Sequence, residues 1–271
     1  MEEDAEFIEL MNVDPSDSID LSLAIFEGID YTFPLGVSLA AGERILIVKS
    51  PTGFAAAYQT VGMNLAPGDY ASSLSNDGEE IALINGLGVD VQRFTYNDVS
   101  PWPLASDGDG YTLTLIAPET SPDHALPASW RISAFPGGSP GESDAEVFTG
   151  SPLADTDGDG LDAFLEYALG SIAGDSGNSP ESYPQVATGL FDDGAGVFSD
   201  YLTISFRRNL SADDVAIIVQ HSTDLLGWTD LGTEFVTASP NGDGTETVSF
   251  RSLTPLTGEV REFLRLKVVG R

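Results

Sequence analysis

The chain has 271 residues, of which 43 are acidic and 11 basic, giving a net charge of -32, and it contains no cysteine. A surface of that sign repels phosphate backbones and anionic lipid, so it excludes nucleic acid and anionic membranes as partners and makes cations the natural ones. The lack of cysteine excludes a disulfide scaffold, zinc-thiolate sites and a cysteine nucleophile, while 29 Gly and 16 Pro beside 41% hydrophobic residues indicate two globular domains with many turns and few long helices.

No apolar run reaches the roughly 20 residues of a membrane-spanning helix. Residues 1 to 10 (MEEDAEFIEL) lack the basic start and apolar centre of a signal peptide, so a secreted protein would carry its leader outside this chain. Short apolar patches open the chain: Phe7, Ile8 and Leu10, then Ile19, Leu21, Leu23, Ile25 and Phe26, broken by Asp14-Pro15-Ser16-Asp17. They predict strands separated by a turn. Arg44 to Lys49 predicts a strand after the turn Ala41-Gly42-Glu43, and Phe54 to Tyr58 a short helix behind Ser50-Pro51. Ile81 to Ile84 and Val89 to Tyr96 flank Asn85-Gly86-Leu87-Gly88, and Tyr111 to Ile116 follow the glycine turn Asp107-Gly108-Asp109-Gly110. Many short strands with frequent turns predict an antiparallel sandwich.

The segments "EFIEL" (Glu6 to Leu10), "IDLS" (Ile19 to Ser22), "LAAGERILIV" (Leu39 to Val48), "SLSNDGEEIAL" (Ser73 to Leu83), "FTYNDVSPWP" (Phe94 to Pro103), "DGDGYTLTLI" (Asp107 to Ile116) and "LPASWR" (Leu126 to Arg131) together resemble bacterial lamin-tail domains in order and spacing. The resemblance implies an immunoglobulin-like β-sandwich over residues 1 to 147, an accessory module of secreted and cell-surface proteins with no catalytic residues. Such domains usually begin with an apolar strand ahead of the segment matched by Glu3 to Leu10. This chain opens at Met1, so the resemblance also implies an unpaired edge. An upstream segment could fill it, or a neighbouring copy by strand addition, with Glu262 to Val269 as a candidate donor.

Phe135 to Asp144 is rich in Gly, Pro and Ser and closes the first domain by composition. Then comes Asp155-Thr156-Asp157-Gly158-Asp159-Gly160-Leu161-Asp162-Ala163-Phe164-Leu165-Glu166. Carboxylates at loop positions 1, 3 and 5, glycine at 6 and glutamate at 12 follow the ligand pattern of an EF-hand, in which a hard cation collects six to eight oxygens. Asp155, Asp157 and Asp159 each offer one carboxylate oxygen, Leu161 its carbonyl and Glu166 both oxygens, so the expected cofactor is Ca2+. Ala163 at position 9 leaves a place for water. A solvated acidic turn has no reason to place glutamate twelfth, at the head of an apolar run that Gly170 stops. Gly150 and Pro152 stand where an entering helix would run, so only the exit helix is expected. The stretch resembles the half EF-hands of dockerins and of thrombospondin type 3-like repeats. Asp162 at position 8, usually apolar or Pro, departs from that pattern. A second calcium at Asp107 and Asp109 lacks a nearby bidentate glutamate.

Gly170 to Pro184 is a second Gly/Ser/Pro-rich stretch, so residues 148 to 180 are expected as a calcium-loop linker with one short helix, stiffened by the ion. Over residues 181 to 271, Tyr201 to Phe206, Val215 to Gln220, Thr247 to Phe250 and Glu262 to Val269 predict strands, with Asn241-Gly242-Asp243-Gly244 as a hairpin turn. They make a second antiparallel sandwich. "LTISFRRN" (Leu202 to Asn209), "VQHSTDLLGWTDL" (Val219 to Leu231) and "REFLRLKV" (Arg261 to Val268) resemble a C-terminal module of secreted proteins of marine, Verrucomicrobia-like bacteria.

The expectation is thus all-β: two antiparallel sandwiches, the first immunoglobulin-like, joined by a calcium-binding loop and helix. It describes a non-enzymatic, calcium-stabilised extracellular or cell-surface module, structural or adhesive, with other copies of itself as possible partners. The alternative is a carbohydrate-binding accessory region, for which Trp102, Trp130, Trp228, Arg207 and Arg208 are candidate glycan contacts; an open row of rings would favour it, whereas buried tryptophans plug a sandwich core. A hydrolase would need His124 or His221 to meet two carboxylates, from among Asp98, Asp109 and Asp123 for the former, and no Gly-x-Ser-x-Gly motif is present.

Overall fold

The computed structural model describes residues 3–177, 183–192, 194–257 and 261–271. Strands dominate it, and the two α-helices among these residues have seven residues each, so the class is all-β. The chain divides into two compact units, Met1–Asp144 and Ala145–Arg271.

In the first unit β1 (Phe7–Met11), β2 (Ile19–Asp20), β3 (Ile25–Glu27), β4 (Tyr31–Thr32), β5 (Ser38–Leu39) and β6 (Arg44–Val48) lead into α1 (Pro51–Ala57). β7 (Glu79–Ile84), β8 (Asp90–Tyr96), β9 (Leu113–Leu115) and β10 (Trp130–Ile132) follow. All pairings are antiparallel: β1 with β6, β2 with β5, β9 with β10, and the four-stranded order β4-β3-β7-β8. Alternation decides what each strand buries. Ile45 and Ile47 of β6 join Phe26 of β3, Ile81 of β7 and the loop residues Ile29 and Phe33 in the main core. The opposite face of β6 is buried as well, because Leu46 and Val48 pack with Phe54 of α1 and with Phe7, Tyr58 and Leu65. That double burial is why Ile45-Leu46-Ile47-Val48 is apolar without alternation. α1 begins where Ser50 Oγ accepts the Gly53 amide at 3.1 Å and Pro51 takes the first turn. Gly53 is required by close approach: a Cβ there would meet Asp4 backbone and side chain at 2.5 Å.

The second unit contains α2 (Ala163–Leu169), β11 (Gln185–Asp192), β12 (Phe198–Asn209), β13 (Val215–Ser222), β14 (Thr233–Pro240), β15 (Thr245–Pro255) and β16 (Phe263–Gly270). One sheet runs β11-β12-β15-β14, and β13 pairs with β16 from Val215↔Gly270 to Ser222↔Phe263. Ile204 and Phe206 of β12, Val248 of β15 and Val219 of β13 form its core together with Leu169 of α2. The loop and helix expected as a spacer are therefore built into this unit: Leu165 and Leu169 bury the apolar stripe of α2, and Asn209 Nδ2 donates to the Tyr167 carbonyl at 3.0 Å. Tyr167 Oη further donates to the Glu146 carbonyl and to Asp214 Oδ1, both at 2.8 Å. β11 and β14 were not among the strands expected from the sequence. Both lie at sheet edges, where no continuous apolar run is needed.

Candidate metal centre

The acidic loop is organised by its own carboxylates. Asp155 Oδ1 accepts the Gly158 amide at 2.8 Å and its Oδ2 the Gly160 amide at 3.2 Å, while Asp159 Oδ1 accepts Leu161 N at 2.7 Å. Asp157 Oδ1 accepts Asp159 N at 3.3 Å, and Asp157 Oδ2 is buried with no hydrogen-bond partner. Gly160 has φ +95° with open space where a Cβ would stand, so the turn selects glycine for its left-handed backbone. One carboxylate oxygen from each of Asp155, Asp157 and Asp159 lies within 4.8 Å of the others. Leu161 follows with a buried side chain that pins the loop's end, and Tyr183 Oη donates to the Asp159 carbonyl at 2.8 Å.

The loop then enters α2 through Asp162, whose carboxylate accepts Leu165 N at 2.9 Å as the helix N-cap. The departure at loop position 8 thus has a local use. No helix leads into the loop: Ala154 and Pro152 carbonyls accept the amides of Ala163 and Phe164 at 2.8 and 3.1 Å, which lays the entering strand of chain beside the helix start. Gly170 closes the helix in the left-handed region, its amide reaching the Glu166 and Tyr167 carbonyls.

Glu166 sits on the fourth residue of α2 and is 0% exposed, and neither Oε1 nor Oε2 has a hydrogen-bond partner. Burial first, then the charges of Asp157, Asp159 and Asp155, hold its carboxyl above the ordinary range. The Ser171 hydroxyl exerts a smaller opposing pull, yet its Oγ is itself buried without a bond of normal geometry. A buried carboxylate without a partner, among the charges of three others, is costly, on the order of several kcal/mol, unless a proton or a cation neutralises it; Glu166 stands outside the 4.8 Å grouping of the three aspartates. No protein-family model, no curated protein and no solved structure matches the chain.

The donor set is all oxygen, with no imidazole, which suits a hard cation rather than zinc or copper. Among the described residues, Asp155, Asp157 and Asp159 are the one cluster of three or more potential ligands placed to hold a metal. Among the described residues, Asp107 and Asp109 belong to no such cluster.

The other candidates are occupied locally. His124 Nδ1 lies 2.9 Å from the Pro122 carbonyl, its ring packs on Phe94 and Trp130, and burial lowers its pKa. His221 Nε2 is bonded to Glu262, whose side chain is 1% exposed. Trp102 is buried, Trp130 stacks on Phe94 with centroids 5.4 Å apart, and Trp228 lies beneath the Arg265 guanidinium at 4.1 Å. Trp102 and Trp130 lie in the first unit with their centroids 6.4 Å apart, and Trp228 lies in the second. Arg207 pairs with Asp243 at 2.8 Å and Arg208 pairs with the buried Glu246.

Proposed function

We propose that the chain is a non-enzymatic, calcium-stabilised structural module of an extracellular or cell-surface protein. The Glu166 carboxylate carries this reading: it is fully buried, has no hydrogen-bond partner, and feels the charges of the three loop aspartates, although it lies outside their 4.8 Å grouping. Asp155, Asp157, Asp159 and Glu166 would hold the ion, with the Leu161 carbonyl completing the protein's share; a bound Ca2+ supplies the positive charge that lets four carboxylates converge. Leu165 and Leu169 of the same helix belong to the core, so closing the loop on an ion stabilises the packing of the whole second unit. A lamin-tail-like, immunoglobulin-like sandwich in the first unit and a second sandwich in the other are consistent with the antiparallel pairings and with a core fed from several sheets. The local partners of the histidines, the Pro122 carbonyl and aromatic rings for His124 and Glu262 for His221, and the packing of Trp102 and Trp130 against each other favour a structural over a catalytic or sugar-binding role. An extracellular setting supplies calcium at the roughly 0.1 to 1 mM at which extracellular modules bind it.

Calorimetric titration with CaCl2 tests this. One site per chain is expected in the wild type, lost in Glu166→Ala; equal heats in the two proteins overturn the assignment.

A further inference from the structure

We propose that β11 is a self-association strand, pairing antiparallel with β11 of a second copy to join two four-stranded sheets into one of eight. Four strands bound the two sheets of the second unit, and three of them are protected. β14 carries Glu234, a register irregularity between Phe235 and Thr237, and Pro240 at its end. β16 carries exposed Arg265 and Lys267, and β13 is bridged along its outer edge by Thr229 to His221. Charges, bulges, prolines and covering loops are the devices that keep edge strands from pairing. β11 has none of them over Gln185 to Phe191, which contains no charged residue and no proline. Its eight residues pair with β12 in unbroken register, so β11 has no bulge of its own, and no strand covers its other edge among the described residues.

The side chains identify the occupant as a second copy. Val186 lies opposite the core residue Ile204, yet it is 56% exposed, and Leu190 on the same face is 64% exposed. The two-stranded sheet formed by β13 and β16 leaves this part of the four-stranded sheet uncovered. Pairing about a twofold axis through Thr188 sets Val186 of each copy opposite Leu190 of the other, burying both pairs, and sets Asp192 opposite Pro184 rather than opposite its own copy. In a chain of net charge -32 the neutral stretch 185–191 is also where two copies approach at the lowest electrostatic cost. The pairing uses none of the proposed calcium ligands. A single added strand pair buries an area at the small end of specific interfaces, so the association is weak and shows at high concentration.

The test uses the full chain in sedimentation velocity over a wide concentration range, with calcium and physiological salt. A reversible monomer-dimer equilibrium is expected, weakened roughly tenfold or more by Thr188→Lys, which sets like charges face to face at the axis, and unaffected by Ser239→Lys on β14. Because the chain lacks cysteine, register is read independently by single-cysteine variants and a short bis-maleimide. Thr188→Cys should cross-link to itself, its Cβ atoms about 5 Å apart, whereas Gln185→Cys should not, at about 20 Å. A monomer at every concentration, a dimer indifferent to Thr188→Lys, or equal cross-linking of the two cysteine variants overturns the proposal. So does protection of the β11 amides only on addition of a foreign strand peptide.

Discussion

At the scale of single residues, the proposed ligands can be named from the sequence because an EF-hand-type loop takes its donors from neighbouring positions: spacing alone points to Asp155, Asp157, Asp159 and Glu166, and the structure groups the three aspartates. What spacing does not convey is that Glu166 is enclosed, or that Tyr183 reaches back to the Asp159 carbonyl from outside the loop. Enclosure makes the effect of Glu166→Gln depend on the ion. Without metal, the folded protein holds the Glu166 proton more tightly than the unfolded chain does, because the folded pKa is raised. Metal-free stability therefore falls as pH rises from the ordinary carboxyl pKa through the raised one, and calcium affinity falls as pH drops through the same window, since protons compete for the ligand. In chelator above that window, Glu166→Gln should melt higher than the wild type; with excess calcium it should melt lower. Melting curves of both proteins across pH 4 to 8, with and without calcium, measure this. A substitution that lowers stability equally in both conditions contradicts the account.

At the scale of elements, legibility followed burial. β6 was readable because both its faces are covered, and α2 because Leu165 and Leu169 recur at helical spacing before a glycine stop. β11 and β14 escaped because an edge strand is paired on one side only; β11 is interrupted by Gly189 and keeps Val186 and Leu190 exposed. The predicted strand Tyr111 to Ile116 shortens to Leu113–Leu115, since it has only the three-residue β10 to pair with. Asp162 was noticed as a departure from the calcium-loop pattern, although an Asp immediately before an apolar helical run is itself an N-cap signal. Asp162→Ala should cost about 1 kcal/mol in chemical denaturation by removing the acceptor for Leu165 N. Asp162→Asn retains an acceptor and removes the same charge, so it should recover most of that loss. Both should keep one calcium per chain. Equal destabilisation by Ala and Asn assigns the effect to charge instead of the cap.

At the scale of the whole molecule, the two compact units have separate cores and carry the acidic loop unequally. Leu21, Phe26, Phe33, Ile45 and Ile81 hold the first, and Leu169, Ile204, Phe206, Val219 and Val248 the second. The sequence placed the loop at the joint, since Gly/Pro-rich segments flank it on both sides. The packing of α2 against β12 and β13 makes it part of the second unit. Calcium should then act on the second unit's stability far more than on the first's. Two transitions are expected by scanning calorimetry, one for each core. Added calcium should raise only the transition of residues 145–271, by mass action on its folded form, with a shift that grows with the logarithm of free calcium above saturation. Sodium chloride should raise both, because the acidic self-repulsion implied by a net charge of -32 is relieved by screening wherever it occurs. Glu166→Ala identifies the transition, because it should abolish the calcium response and leave the salt response intact. If calcium raised both transitions equally and Glu166→Ala did not change that, the ion would be acting as a general counterion to an acidic surface, and the loop would have no special part in stability.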